Sequence, residues 1–137
     1  MMRKLFEKEK RNRRRRKKML FLEYPKCSIC QKAKKWLDTN EIIYDDRHIK
    51  EEKPTEEELR TWKERSGLPL KKFFNTSGVL YKEMKLKEKL PSMPEEEQYA
   101  LLATDGMLVK RPLFIGEDFV LVGFKEAEWK EKLCGEK

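Results

Sequence analysis

The stretch FLEYPKCSICQKAKKWL, Phe21–Leu37, decides the fold. It continues the apolar run MLFLEY (Met19–Tyr24), which reads as a short buried strand ended by Pro25. From Ser28 to about Thr39 the spacing turns helical: Ile29, Ala33, Trp36 and Leu37 share one face and lysines take the other. Asn40 is a stop. IIYDDRHI (Ile42–Ile49) then resumes as a strand. Strand, helix and strand joined by short loops imply a parallel pair with a right-handed crossover.

The rest of the chain completes the plan. KPTEEELRTWKERSG opens a second helix, with Thr55 and Glu58 at capping-box spacing, Leu59 and Trp62 as its apolar stripe and Gly67 as its stop. LKKFFNTSGVLYKEMKLKEKL reads as short helical pieces broken at Asn75–Gly78. MPEEEQYALLATDG is a further helix with an acidic first turn. Tyr99, Leu101 and Leu102 lie on its inner side, and Gly106 is its C′ residue. RPLFIGEDFVLVGF gives two strands, Leu113–Ile115 and Phe119–Val122, around Gly116–Glu117–Asp118. KEAEWKEKL closes the domain with a short amphipathic helix. A βαβ half, a helical stretch and a ββα half make the plan of a thioredoxin-like sheet with an insertion packed over it.

Composition narrows the class. The chain has 137 residues, 38% hydrophobic and 42% charged, with three Trp and seven Phe, which suits one globular domain with a heavily solvated surface. No run approaches the ~18 apolar residues that span a bilayer, and no apolar h-region follows the basic start. A cytoplasmic protein is the expectation. The formal net charge of +8 is unevenly placed: residues 1–18 carry eleven Lys/Arg and two Glu, a net of +9, and the remainder is near neutral. The domain itself therefore makes no case for nucleic-acid binding. The leader has two readings. It is a polyanion-binding arm, or it is a disordered or wrongly assigned extension, with Met19 as the start of the domain.

Cys27 and Cys30 carry the chemistry. Cys27 falls between a strand end and a helix start, where unpaired N–H groups and the macrodipole stabilise a thiolate and lower its pKa. Lys26 adds to that field. Cys30 lies one turn along the same side, near enough to attack a mixed disulfide or sulfenic acid on Cys27. Zinc would need more ligands than this pair, Cys134 and His48 readily supply, so no metal is expected. Two small residues without a redox role also fit the spacing. Cys134 reads as a tail thiol, and His48 as a satisfied strand residue, with a carboxylate of Glu51–Glu52 as a ready partner. In a thioredoxin-like sheet, Pro112 at the third strand's start would be cis and face the cysteine loop; a trans proline at an edge strand is the alternative. Arg111 would project from that same loop, where a guanidinium can hold an oxyanion or lower a thiol pKa; a solvated surface arginine is the alternative.

YPKCSICQKAKKWL, DDRHIKEEKPTEEEL and GMLVKRPLFIGEDFVLVGFKEAEW, in that order, resemble the arsenate reductase (ArsC)/Spx family from about Met19 to Leu133. The similarity is greatest to its arsenate reductase-related, YffB-like branch. The resemblance implies an α/β, thioredoxin/glutaredoxin-like core with a four-stranded mixed sheet. The domain would span 19–133, with a helical insertion over about 54–106, a basic extension at 1–18 and a tail at 134–137. Two functions are implied. In the first, the protein is a thiol-dependent oxidoreductase with Cys27 as nucleophile, resolved by Cys30 or by an external thiol. Glutathione/glutaredoxin or thioredoxin would serve as reductant, with no bound cofactor. The reductases surround their oxyanion with three arginines. Arg111, before the loop-shaping Pro112, matches one; Lys71 falls near the second, Gly123 near the third, and Tyr24 stands where the reductases place a histidine. In the second, the protein is a Spx-type regulator with a CxxC switch that binds the RNA polymerase α subunit through a face that includes a glycine of the insertion, with Gly67 as counterpart. The CxxC motif favours the switch and the insert KKFFNTSGVLYKEM favours the reductase relatives. The oxidoreductase leads, with a thiol reductant or redox protein as partner and no membrane or direct DNA contact by the domain.

Overall fold

The computed structural model describes residues 19–135. Four strands form one mixed sheet in the order β2-β1-β3-β4: β1 Leu20–Glu23, β2 Asp45–His48, β3 Leu113–Ile115 and β4 Val120–Val122. β1 runs parallel to β2 and antiparallel to β3, which is antiparallel to β4. The register aligns Phe21 with Phe114 and Phe114 with Leu121, so these three residues share one face. Helices α1 (Ser28–Thr39) and α6 (Glu126–Leu133) cover that face through Ala33, Leu37 and Trp129. Trp129 is wholly buried and its indole N–H donates to the Gly123 carbonyl at 3.0 Å. Leu22, Leu113, Ile115 and Val120 belong to the second core, beneath the segments between β2 and β3. Each fully buried Leu or Phe stabilises the fold by about 1.5–3 kcal/mol relative to exposure. The arrangement is the thioredoxin-like α/β fold.

Those segments comprise α2 (Glu56–Ser66), α3 (Val79–Glu83), α4 (Leu86–Lys89), α5 (Glu95–Leu102) and 3-10 turns at Leu70–Phe73, Leu90–Ser92 and Gly106–Leu108. The capping box at α2 is complete. Thr55 Oγ1 accepts from the Glu58 N–H at 3.1 Å, and Glu58 Oε1 accepts from the Thr55 N–H at 3.0 Å. Gly67 ends α2 with φ +71°, a left-handed cap. Arg47 joins β2 to α2 through Glu58, with contacts of 2.7 and 2.9 Å, and also donates to the Glu52 and Lys53 carbonyls.

Several expectations shift. β2 is shorter than Ile42–Ile49, because the chain leaves α1 through Ile42 N–H to Leu37 O and Glu41 N–H to Asp38 O, and pairing starts only at Asp45. β4 starts at Val120 rather than Phe119, whose carbonyl instead closes the turn on the Gly116 N–H at 2.8 Å. Gly106 is not the C′ residue of α5, which ends at Leu102 with Ala103 as its cap. It is buried in the next turn, and a Cβ there would lie 1.9 Å from the Ile49 carbonyl oxygen. Close backbone approach, not helix termination, explains that glycine. Ile29 is 53% exposed, and Cys30 takes the buried place in the first turn of α1. At 100° per residue Ile29 lies roughly 80° round from Leu37, at the border of the stripe. The expected basic extension, residues 1–18, lies outside the described residues, as do residues 136–137. Among the described residues no helix is long and apolar enough to cross a membrane.

Candidate active site

Tyr24 to Cys27 form a tight turn, with the Cys27 N–H donating to the Tyr24 carbonyl at 2.9 Å. Cys27 is the N-cap of α1, and its Sγ accepts from the Cys30 N–H at 3.4 Å. A sulfur here takes the place of a capping oxygen and meets the positive end of the helix. The two thiols differ. Burial alone would raise the Cys27 pKa, but hydrogen bonds from Cys30 and the Arg111 guanidinium draw it below the ordinary thiol value. Burial pushes the Cys30 thiol up to about 12. Cys27 is half-buried, Cys30 is wholly enclosed, and neither is in a disulfide.

The loop before β3 supplies the cation. The Arg111–Pro112 peptide is cis, and the Pro112 carbonyl accepts from the Gly123 N–H at 2.8 Å. Arg111 lies over the Tyr24 ring at 5.3 Å. Its Nε and Nη1 are buried and have no hydrogen-bond partner among the described residues. Tyr24, at the position where the resemblance places a histidine, also meets the His48 ring in a T-shaped contact at 5.7 Å.

Cys27 and Arg111 line a cleft of about 570 Å³, to which Lys50, Asn75, Asp105 and Lys110 also contribute. Two strand-like connections hold its far wall. The Asn75 N–H donates to the Leu108 carbonyl and the Lys110 N–H to the Phe73 carbonyl, both at 2.8 Å, around a Phe74–Val109 bridge. Asp105 Oδ1 accepts from the Met107 N–H at 2.8 Å.

The sequence-predicted residues divide accordingly. Cys27, Cys30, Arg111 and Pro112 come together. Lys26 is exposed and is not among the groups that shift Cys27. Lys71 is exposed and does not line the cleft, because Leu70 and Phe73 are the buried anchors of its 3-10 turn. Lys50 and Lys110 are the cations that sequence reasoning missed. Lys110 had a signal in its position next to Arg111. A Cβ on Gly123 would lie 3.3 Å from Lys110 Cε, so the lysine stem runs beside the position where the resemblance placed a third arginine. His48 Nδ1 accepts from the backbone N–H groups of Lys50 and Glu51, both at 3.2 Å, so its partners there are backbone groups rather than the Glu51 or Glu52 carboxylate. Glu23, also missed, is a buried carboxylate at the end of β1. Gln31 at 3.2 Å and Lys34 at 3.3 Å donate to it, and burial raises its pKa. Cys134 is exposed at the far end of the chain. Among the described residues, no group of three or more His, Cys, Asp or Glu could hold a metal ion.

Comparison with known proteins agrees with this geometry. The ArsC family profile matches residues 22–132. The uncharacterized protein YusI of Bacillus subtilis is 54% identical over 113 residues, covering 82% of this chain and 96% of its own. The global transcriptional regulator Spx of Staphylococcus haemolyticus is 30% identical over 104 residues, covering 76% and 78%. Among solved structures, an ArsC family related protein from Bacteroides fragilis superposes with a TM-score of 0.81 at 66% identity, covering 83% of this chain and 96% of that one. A protein described as a possible arsenate reductase from Streptococcus mutans superposes with a TM-score of 0.78 at 44% identity, covering 85% and 98%. With a family match over nearly the whole described domain and close structural relatives on the same thioredoxin-like fold, this chain belongs to the ArsC family.

Proposed function

We propose that the protein is a thiol-dependent oxidoreductase in which Cys27 is the nucleophile and Cys30 the resolving thiol. The Cys27 thiolate attacks the oxidised substrate and forms a covalent adduct. Cys30 then attacks Cys27 Sγ, which closes the Cys27–Cys30 disulfide and releases the reduced product. Two electrons leave the dithiol and two enter the substrate. An external thiol, glutathione/glutaredoxin or a thioredoxin, returns the pair to the dithiol state. The observation that carries this reading is the Arg111 guanidinium, with two buried, unpartnered nitrogens, beside an N-cap cysteine. Leaving one buried donor unpaired costs about 1–3 kcal/mol. An anionic oxygen or thiolate at Cys27 would remove that cost. The structural relative described as a possible arsenate reductase makes arsenate the first substrate to assay.

The test is alkylation of Cys27 by a neutral haloacetamide across pH, with arsenate turnover followed alongside in the presence of glutathione or thioredoxin. A Cys27 pKa at the free-thiol value of about 8.5 sinks the thiol chemistry. A second reading rests on the Spx relative and the retained CxxC pair. In it the chain is a redox-sensing regulator that binds the RNA polymerase α subunit. Capture of that subunit that changes on oxidation, without turnover, favours this second reading.

A further inference from the structure

The cleft is larger than a small oxyanion requires. Its volume of about 570 Å³ is bordered by three cations, Lys50, Lys110 and Arg111, and one carboxylate, Asp105. Asp105 is already engaged by a backbone N–H. The net field in the cleft is therefore positive, although the chain from residue 19 onward is near neutral. Ile29 and Val79 also line it, at 53% and 70% exposure. They are two of the four large apolar side chains that stand exposed among the described residues. Exposed apolar side chains beside a reactive thiol favour contact with another macromolecule over a hydrophilic small molecule.

We propose that the oxidised partner of Cys27 is a protein: an exposed, acidic segment that carries a disulfide-bonded cysteine, lies against Ile29 and Val79, and is read by Lys50 and Lys110. The proposal rests on the oxidoreductase reading and names its substrate class. The Cys27 thiolate attacks one sulfur of the substrate disulfide. A Cys27–substrate disulfide forms, and the other substrate sulfur leaves as a thiolate that takes a proton from solvent. Cys30 then attacks Cys27 Sγ, and its proton goes to the departing second substrate thiolate. The substrate disulfide is reduced by two electrons, the Cys27–Cys30 pair is oxidised by two, and an external dithiol restores it. Lys50 and Lys110 take no part in bond making. They hold the acidic side chains that flank the reacting cysteine.

The test uses the full chain in its reduced form. Its probes are octapeptides with a single cysteine held as a mixed disulfide with 2-thiopyridine. One peptide flanks the cysteine with Glu and Leu, a second with Lys and Leu, and glutathione carrying the same leaving group is the small anionic comparison. Release of thiopyridone gives the rate constant for each. The acidic peptide is expected to react about tenfold faster than the basic one at low salt, with the ratio falling as salt screens the field. It is also expected to outpace the glutathione adduct several-fold. In the Lys50→Glu/Lys110→Glu variant the acidic-to-basic ratio should fall below one. Using the ratio cancels any change in the thiolate itself. Lys50→Glu alone, at an exposed position, should lower the ratio if the double variant does not fold. Equal rates for the two peptides, a ratio unmoved by charge reversal, or a glutathione adduct as fast as the acidic peptide would each overturn the protein-substrate proposal alone. A Cys27 no more reactive than Cys134 towards the neutral haloacetamide would overturn the oxidoreductase reading beneath it.

Discussion

One wall of the cleft is the Tyr24–Cys27 turn with the first turn of α1; the other is the Asn75–Leu80 segment with the loop from Asp105 to Arg111. The first follows one continuous strand–turn–helix, and its backbone hydrogen bonds are local, from Cys27 to Tyr24 and from Gln31 to Cys27. The second joins segments more than thirty residues apart, tied by Asn75 to Leu108 and Lys110 to Phe73. Local elements position a nucleophile from sequence neighbours alone. The opposite wall depends on tertiary contacts, so it is the wall that can vary in charge and shape while the nucleophile stays put. The two walls should therefore fail in different ways when broken.

The largest effect belongs to the first wall. Cys27→Ser should abolish disulfide exchange, at least a ~10³-fold loss, because serine's hydroxyl is not ionised at neutral pH. It should leave thermal stability nearly unchanged, since serine is itself a good N-cap. Cys30→Ser should keep the first attack and accumulate the mixed disulfide, visible by intact mass. Loss of the first attack in Cys30→Ser would break the assignment of roles.

Gly106→Ala strikes the second wall. Its Cβ would fall 1.9 Å from the Ile49 carbonyl oxygen, a backbone atom with no rotamer to yield. We expect a loss of about 3 kcal/mol in urea unfolding. Cys27 should keep its place as the N-cap of α1 if the variant folds, because the hydrogen bonds that set the Tyr24–Cys27 turn are local. A neutral Gly106→Ala would mean that the Ile49–Lys50 turn yields freely.

Arg111 connects the two walls. Arg111→Met keeps an apolar stem over Tyr24 and removes the charge beside Cys27. The Cys27 pKa should rise, which lowers the thiolate fraction and slows alkylation at neutral pH several-fold. An unchanged alkylation profile would assign the low pKa to the helix N-terminus and Cys30 alone.

The same contrast separates what was legible in the sequence from what was not. The helix over Ser28–Thr39, the Thr55–Glu58 box and the Gly67 cap were readable because each is written in a few adjacent residues. Arg111 was readable through its place before Pro112 and the third strand. Lys50 and Asn75 were not, because nothing local says that a loop after β2 and a break after Phe74 meet across the cysteine. Lys71 misled for the same reason: its charge was visible, but its direction was set by the burial of Leu70 and Phe73 on either side. Gly106 looked like a helix end when it was a contact between distant backbones.

The smallest effect lies away from the cleft, where two carboxylates on either side of β2 respond to pH in opposite senses. The hydrogen bonds from Arg47 hold the Glu58 carboxyl below its usual range, although burial opposes them. Its folded pKa is depressed, so its contribution is present above the unfolded pKa of about 4.3 and is lost as pH falls through the folded value. Burial, with Asp46 nearby, raises Glu23 despite Lys34. Its contribution is therefore fully present below the unfolded pKa and is lost as pH rises through the folded one. Glu58→Gln should cost about 1 kcal/mol at neutral pH, a value kept small because the pair is partly exposed. It should also flatten the loss of stability on acidification. Glu23→Gln should instead remove a loss on the alkaline side of the same transition. Urea unfolding of both variants from pH 3 to pH 7 measures the two slopes. Parallel changes in the two variants would mean that Lys34, not burial, governs Glu23.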